Sequence, residues 1–226
     1  MKRTLVISDI HGEYELFDAL LKKVNYNHEE DQLILLGDYI DRGPKSKDVL
    51  NRVMDLKEKG AIVLRGNHDE MMVHAVDDEP KARDRWARNK GEVTLQTYDP
   101  SIDKIQIPDC DEFEKHVEFI RSLDYFYETD DYIFVHGGVE PGTPVEESDP
   151  FKLIWIREEF YLGYNGEKTV VFGHTPTSIL QGKGNHNVYF GENNVIGIDG
   201  AAAYGGRLNC LELPSKKVYY TSKATI

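Results

Sequence analysis

The sequence predicts an α/β fold with parallel strands, on three observations. Short apolar runs at residues 4–8, 33–36 and 61–64 each stop at a cluster of polar residues. Segments of helical period separate them. The tail, from residue 188 onward, alternates brief β-like runs with Gly and Asn. A short apolar run bounded by turn residues reads as a strand buried on both faces. Strand–helix alternation reads as β-α-β units whose polar tips share one sheet edge, the edge where open α/β sheets hold ligands.

Residues 4–8 form the first expected strand, closed by Asp9-Ile10-His11-Gly12. Residues 13–24 then carry Leu16, Leu20 and Val24 on one helical face. The second strand, 33–36, runs into Gly37-Asp38-Tyr39-Ile40-Asp41-Arg42-Gly43. Val49, Leu50, Val53 and Leu56 mark a second amphipathic helix, stopped near Gly60. The third strand, 61–64, ends in Arg65-Gly66-Asn67-His68-Asp69. Residues 77–110 break the pattern with a charged stretch around Trp86 and read as an inserted cap or solvated helix over the site edge, or equally as a plain surface excursion, within a single domain spanning 1–226. A helix is expected at 113–123, strands at 125–127 and 132–135, and a proline-rich loop at 141–150. A helix at 151–160 and a strand at 169–172 follow, the latter ending in Gly173-His174-Thr175-Pro176. The runs at 195–198, 208–213 and 218–221 predict a second, antiparallel sheet.

Composition is that of a globular protein, 40% hydrophobic and 30% charged. The net charge of −13 disfavours nucleic acid and anionic membrane as partners. Cys110 and Cys210 lack metal-ligand spacing and are expected to stay reduced in a cytoplasm. The amino-terminal run Met1-Lys2-Arg3-Thr4-Leu5-Val6-Ile7-Ser8-Asp9 is too short for a signal peptide, and no stretch reaches membrane-span length.

Five expected strands thus end in groups able to hold a metal: Asp9 with His11, Asp38 with Asp41, Asn67 with His68, His136, and His174. Residues i and i+2 of a strand share a face, so Asp9 and His11 reach one ion if the extended geometry persists. Alone, Asp-x-His is more often a helix cap and Gly-Asn-His a turn. Their joint recurrence at strand ends points to a metal centre of carboxylate, imidazole and amide donors, suited to Mn²⁺, Fe or Zn²⁺. His28, His74, His116 and His186 lack this setting and read as surface residues.

These motifs, together with His136-Gly137-Gly138, resemble those of the phosphoprotein phosphatase family of calcineurin-like metallophosphoesterases, and in particular its small bacterial and phage serine/threonine phosphatases. The resemblance implies two mixed β-sheets sandwiched by helices in four layers (αββα). It implies two divalent metal ions, Mn²⁺ foremost, with Asp9, His11 and Asp38 on one and Asp38, Asn67, His136 and His174 on the other. His68 would protonate the leaving oxygen, oriented by Asp41, while water attacks phosphorus in line. Arg42 would bind the phosphoryl oxygens, with Arg157 as a second arginine and Arg65 assisting. Pro176 stands where wider metallophosphoesterases carry a further histidine, which points toward phosphatases and away from nucleases. The expected substrate is a phosphorylated protein or peptide. A dinucleoside polyphosphate such as diadenosine tetraphosphate is the alternative, and a non-catalytic binding module is the rival from another class. A dinucleotide would need cationic and aromatic residues at the rim, available from Lys81, Arg83, Arg85, Trp86, Arg88 and Lys90, or from Tyr204 with Arg207.

Overall fold

The computed structural model describes residues 3–226; Met1 and Lys2, part of the amino-terminal run read above, lie outside the described residues. The first half comprises β1 (Arg3–Ile7), α1 (Tyr14–Lys23), β2 (Asp31–Leu35), α2 (Ser46–Glu58), β3 (Ile62–Val63) and α3 (Asn67–Val76). Then come α4 (Ala82–Arg88), α5 (Gly91–Gln96), α6 (Asp111–Arg121), β4 (Phe126–Glu128) and β5 (Tyr132–Val135). The second half holds α7 (Pro150–Trp155), α8 (Glu158–Gly163), β6 (Thr169–Phe172), α9 (Thr177–Leu180), β7 (Tyr189–Phe190) and β8 (Val195–Gly197). It ends with β9 (Leu208–Leu213) and β10 (Lys217–Thr221).

Among the described residues the strands form two five-stranded sheets, ordered β10-β9-β1-β2-β3 and β4-β5-β6-β8-β7. Both are mixed: β1, β2 and β3 are mutually parallel, as are β5, β6 and β8, while β9 pairs antiparallel with β1 and β10, β4 with β5, and β7 with β8. Alternation along each strand explains the unbroken apolar runs. Leu5, Ile7, Leu33 and Leu35 face one core with Leu16, Phe17, Val49 and Val53 of the flanking helices. Val6, Ile34 and Leu36 point the other way and meet Phe134, Val171 and Ile196 of the second sheet. On that sheet's far face, Ile133, Val135, Val170 and Phe172 pack against Leu153 and Phe160. Every central strand is buried on both faces, which removes the polar alternation a half-exposed strand would show.

Three expectations need correction. The tail does not make a sheet of its own. β9 and β10 complete the first sheet beside β1, while β8 joins the second in parallel with β6. The helix expected over 151–160 breaks at Ile156, which is extended (φ −60°, ψ 146°). The backbone N–H of Gly137, at the β5 tip, donates to the Leu153 carbonyl at 2.7 Å, taking the acceptor that residue 157 would use in a continuing helix. His116 is fully buried rather than a surface residue, with Tyr98 Oη 2.5 Å from Nδ1 and Asn51 Oδ1 3.0 Å from Nε2.

Residues 77–110 supply α4 and α5. Trp86, Leu95 and Ile102 from this segment enter the core on the outer face of the first sheet. Most of its charged side chains stay outside.

Candidate functional site

The carboxyl ends of β1, β2, β3, β5 and β6 bring Asp9, His11, Asp38, Asn67, His68, His136 and His174 to one buried cluster between the two sheet edges. The extended geometry expected for Asp9 and His11 does not persist. Asp9 (φ 54°), His11 (φ 45°), Asp38 (φ 57°), Asp41 (φ 69°), Arg42 (φ 70°) and His174 (φ 60°) all take left-handed backbone. Non-glycine residues there are strained, and clusters of such strain mark functional sites. Hydrogen bonds from Asp9 N–H to the Gly37 carbonyl (3.1 Å) and His11 N–H to the Asp38 carbonyl (2.9 Å) hold the two tips in register. The tips also touch through glycine. A Cβ on Gly37 would lie 2.3 Å from the Gly66 nitrogen, and one on Gly173 would lie 2.2 Å from an Asp9 carboxylate oxygen.

Asp38 is shared by two donor groups, His11–Asp38–His68 and Asp9–Asp38–His136, each with its ligand atoms within 4.8 Å of one another. His11 Nε2 lies 3.4 Å from Asp38 Oδ2 and 3.9 Å from Asp9 Oδ1. His136 Nε2 lies 3.4 Å from Asp38 Oδ1 and 2.9 Å from Asn67 Oδ1. The Nδ1 atoms of His11 and His136 sit 2.7 Å and 3.0 Å from the carbonyls of Ile40 and Leu36. Donation there leaves each Nε2 lone pair facing the cluster, the arrangement that orients metal-ligating histidines. The Nε2 of His174 is buried with no hydrogen-bond partner. An orphaned imidazole nitrogen beside shared carboxylates fits a divalent metal ion.

Burial and mutual charge set the protonation of the cluster. Burial pushes Asp38 up, but His136, His68 and His11 outweigh it and hold the carboxyl well below its usual range. Burial lowers His136, yet Asp38 and Asp9 raise it to about 9. Burial and neighbouring positive charge push His11 and His174 well below the usual imidazole range, so both stay neutral donors. Burial raises Asp9, with Asp38 adding to it against His136.

His68 Nδ1 lies 2.6 Å from Asp41 Oδ2, as a pair in which the carboxylate orients the ring requires. Arg42 Nη2 is 2.8 Å from His68 Nε2, and its Nη1 contacts His11 Nε2. Arg157 follows the break between α7 and α8, and lines a cavity of about 250 Å³ with Arg42, His11, His174, Asp199 and Tyr204. Arg65 does not join them. Its guanidinium donates to Glu70 (2.6 Å), Tyr125 Oη (3.0 Å) and the Arg121 carbonyl, away from the residues that line the cavity. Trp86 is 0% exposed and therefore no platform for a base. Among the described residues, Lys81, Arg83, Arg85, Arg88 and Lys90 do not line the cavity either.

Three residues escaped sequence reasoning. Asp69 accepts the backbone N–H groups of Asp38 (2.8 Å), Tyr39 (3.1 Å) and Gly66 (2.9 Å). Burial and Asp38 raise it to about 7 against those three donors. Asp199 is a buried carboxyl at the tip of β8, raised well above its usual range by burial and by Asp9. A strand followed by Asp-Gly was the available signal. Thr94 contacts Asp41, with nothing in the sequence to say so.

Among the described residues, no helix is long and apolar enough to cross a membrane. A model of the calcineurin-like phosphoesterase family matches residues 2–205. The chain is 27% identical over 237 aligned positions to the asymmetrical bis(5'-nucleosyl)-tetraphosphatase PrpE of Bacillus subtilis, covering 92% of this chain and 90% of that protein. It is 28% identical to a symmetrical bis(5'-nucleosyl)-tetraphosphatase of Psychromonas ingrahamii, over 66% of this chain. It spans about half the length of that relative, 48%. Among solved structures, a candidate diadenosine tetraphosphatase aligns with TM-score 0.73 at 21% identity, covering 98% of this chain and 93% of that one. A Saccharomyces cerevisiae serine/threonine phosphatase similar to human PP5 aligns with TM-score 0.65 at 13% identity, covering 98% and 80%. These two likenesses concern the fold alone. With a family match over most of its length and the donor cluster at its strand tips, the chain belongs to the calcineurin-like metallophosphoesterases.

Proposed function

We propose that this chain hydrolyses dinucleoside polyphosphates, with diadenosine tetraphosphate as the reference substrate, by asymmetrical cleavage. The observation that carries this reading is the Arg42–Tyr204 pair at the cavity mouth. The Tyr204 ring is 67% exposed, and the Arg42 guanidinium lies 4.9 Å from its centroid. An exposed aromatic face beside a phosphate-binding arginine offers stacking to a base and pairing to the phosphates of the same ligand. Such stacking contributes roughly 1–3 kcal/mol per base. The near full-length tetraphosphatase relative supports the same substrate class and the asymmetrical cut.

Asp9, His11, Asp38, Asn67, His136 and His174 would hold two divalent ions, with Asp38 common to both. When bound, such ions supply positive charge that acidifies water and polarises a phosphoryl group. Arg42 and Arg157, which both line the cavity, bind the phosphoryl oxygens. His68 delivers a proton to the leaving oxygen, and Asp41 keeps the ring turned toward it.

A serine/threonine phosphatase is the second reading, and the motifs alone favoured it. The net charge of −13 supports it by opposing polyanions at long range. Two arginines at the cavity, close to the reacting groups, count for more than a screened surface charge. The Mn²⁺-loaded protein should be offered diadenosine tetraphosphate, a phosphothreonine peptide and p-nitrophenyl phosphate side by side. Faster turnover of the dinucleotide, to ATP and AMP by chromatography, is expected, and Tyr204→Ala should raise its KM about 5- to 150-fold while leaving p-nitrophenyl phosphate unaffected. Preference for the phosphopeptide overturns the substrate. Two ADP as products overturn the asymmetrical cut.

A further inference from the structure

Asp41 is held from a side that the reaction itself does not explain. Trp86 Nε1 donates to both carboxylate oxygens, at 3.0 Å each, and Thr94 Oγ1 donates to Oδ1 at 2.7 Å. The Asp41 backbone N–H in turn reaches Thr94 Oγ1 at 2.8 Å and Ser46 Oγ at 3.2 Å. Trp86, Thr94, Ser46 and Asp41 are each 0% exposed. Trp86 sits on α4 and Thr94 on α5, so both come from the segment whose sequence reads as a cap.

The backbone supplies a second reason to need such a grip. Asp41 and Arg42 are consecutive left-handed residues, φ 69° and 70°. A non-glycine residue in that region is costly and persists only where its surroundings over-determine it. Relaxation of this turn would carry the Asp41 carboxylate away from His68 and the Arg42 guanidinium away from the cavity together. Among the described residues, the side chains with hydrogen bonds to the Asp41 carboxylate other than His68 are Trp86 and Thr94.

We propose that Trp86 and Thr94 are positioning residues for proton delivery: they lock the Asp41 carboxylate against His68, and the 77–110 segment thereby serves as part of the catalytic apparatus. This rests on the reading of His68 as the proton donor. Their indole N–H and hydroxyl fill the carboxylate positions that His68 leaves, in a site that water does not reach. The oxygen facing His68 then has one orientation.

Trp86→Phe removes the donor and keeps an aromatic ring in the core. Thr94→Val removes the hydroxyl at nearly constant volume, and Thr94→Ser restores it. Two measurements on the Zn²⁺-loaded protein, which is diamagnetic, test the proposal. The first is the downfield proton resonance of the His68 Nδ1–H bonded to Asp41, assigned by its loss in His68→Asn. Trp86→Phe and Thr94→Val should move it upfield and broaden it, and Thr94→Ser should return it. The second is kcat for phenyl phosphate against p-nitrophenyl phosphate. Both variants should lose about 10- to 100-fold on the poorer leaving group, the range for removal of an orienting hydrogen bond, with less than 3-fold on the better one. An unmoved resonance in both folded variants overturns the proposal. A moved resonance with equal losses on both esters, in the variants and in His68→Asn alike, overturns the proton-donor reading and leaves the lock standing.

Discussion

The Asp69 carboxylate accepts the backbone N–H of Asp38 at 2.8 Å, so the turn that presents the shared metal-ligand candidate is tied to the first turn of α3. The same carboxylate takes the N–H groups of Tyr39 and Gly66. Asp69→Asn replaces one acceptor oxygen by an NH₂ that faces backbone donors. The expected cost is about 1–3 kcal/mol of stability, read by urea denaturation, with a metal affinity about 10- to 100-fold weaker. Wild-type affinity with unchanged stability would contradict this.

Asp38 belongs to both donor groups, so its loss should affect two ions at once. Asp38→Asn is expected to bind less than one metal equivalent by elemental analysis and to lose at least about 10²-fold in kcat/KM. Chelation should lower the Tm of the wild type and leave that of the variant nearly unchanged, because only a ligand bound to the folded state stabilises it. Two equivalents of metal in the variant would remove Asp38 from its bridging role.

His68 stands 2.6 Å from Asp41 and 4.0 Å from Asp38 Oδ2, close enough to serve either as a proton donor or as a ligand. His68→Asn distinguishes the two. Proton delivery predicts full metal content and a loss of about 10²- to 10⁴-fold on poor leaving groups, with a smaller loss on p-nitrophenyl phosphate. Metal loss with equal kinetic defects would make His68 a ligand instead.

His116 carries a pH dependence remote from the metal cluster. Burial lowers it to about 4, with nearby Lys115 and Lys47 adding to this against Glu112. Its folded value lies below the unfolded value of 6.5, so the unfolded chain binds the extra proton first. Stability from neutral His116 is therefore present above about pH 6.5 and is lost as pH falls toward 4. The Tm advantage of the wild type over His116→Gln should be largest at pH 7–8 and shrink steadily below pH 6.5. An advantage that grows on acidification would reverse the sign.

Most of the site was legible in the sequence because its residues stand at strand ends, and strand ends show as the stops of apolar runs. Asp9, Asp38, Asn67, His136 and His174 could be placed at one edge from that rule alone. Asp199 obeys the same rule. It does not stand out in the sequence because the strands of the tail read as a separate antiparallel sheet, whereas β8 pairs parallel with β6. Charge and periodicity in residues 77–110 point outward, and Trp86 and Thr94, two of the side chains that turn inward with Leu95 and Ile102, carry no periodic signal.

By itself the sequence determined the order of strands and helices, the burial of the central strands on both faces, and the identity of the donors at their tips. Each follows from local chemistry: residue period, turn residues and side-chain type. The tertiary structure alone decided which arginines reach the cavity. Arg65 and Arg157 look alike as sequence, but Glu70, Tyr125 and the Arg121 carbonyl hold the first, while the break at Ile156 leaves the second at the cavity. It also decided that Trp86 serves Asp41 and not a base, and that Tyr204 lies beside Arg42. These are meetings of residues 45 and 162 positions apart, and such meetings depend on how the two sheets and their helices pack rather than on any local pattern.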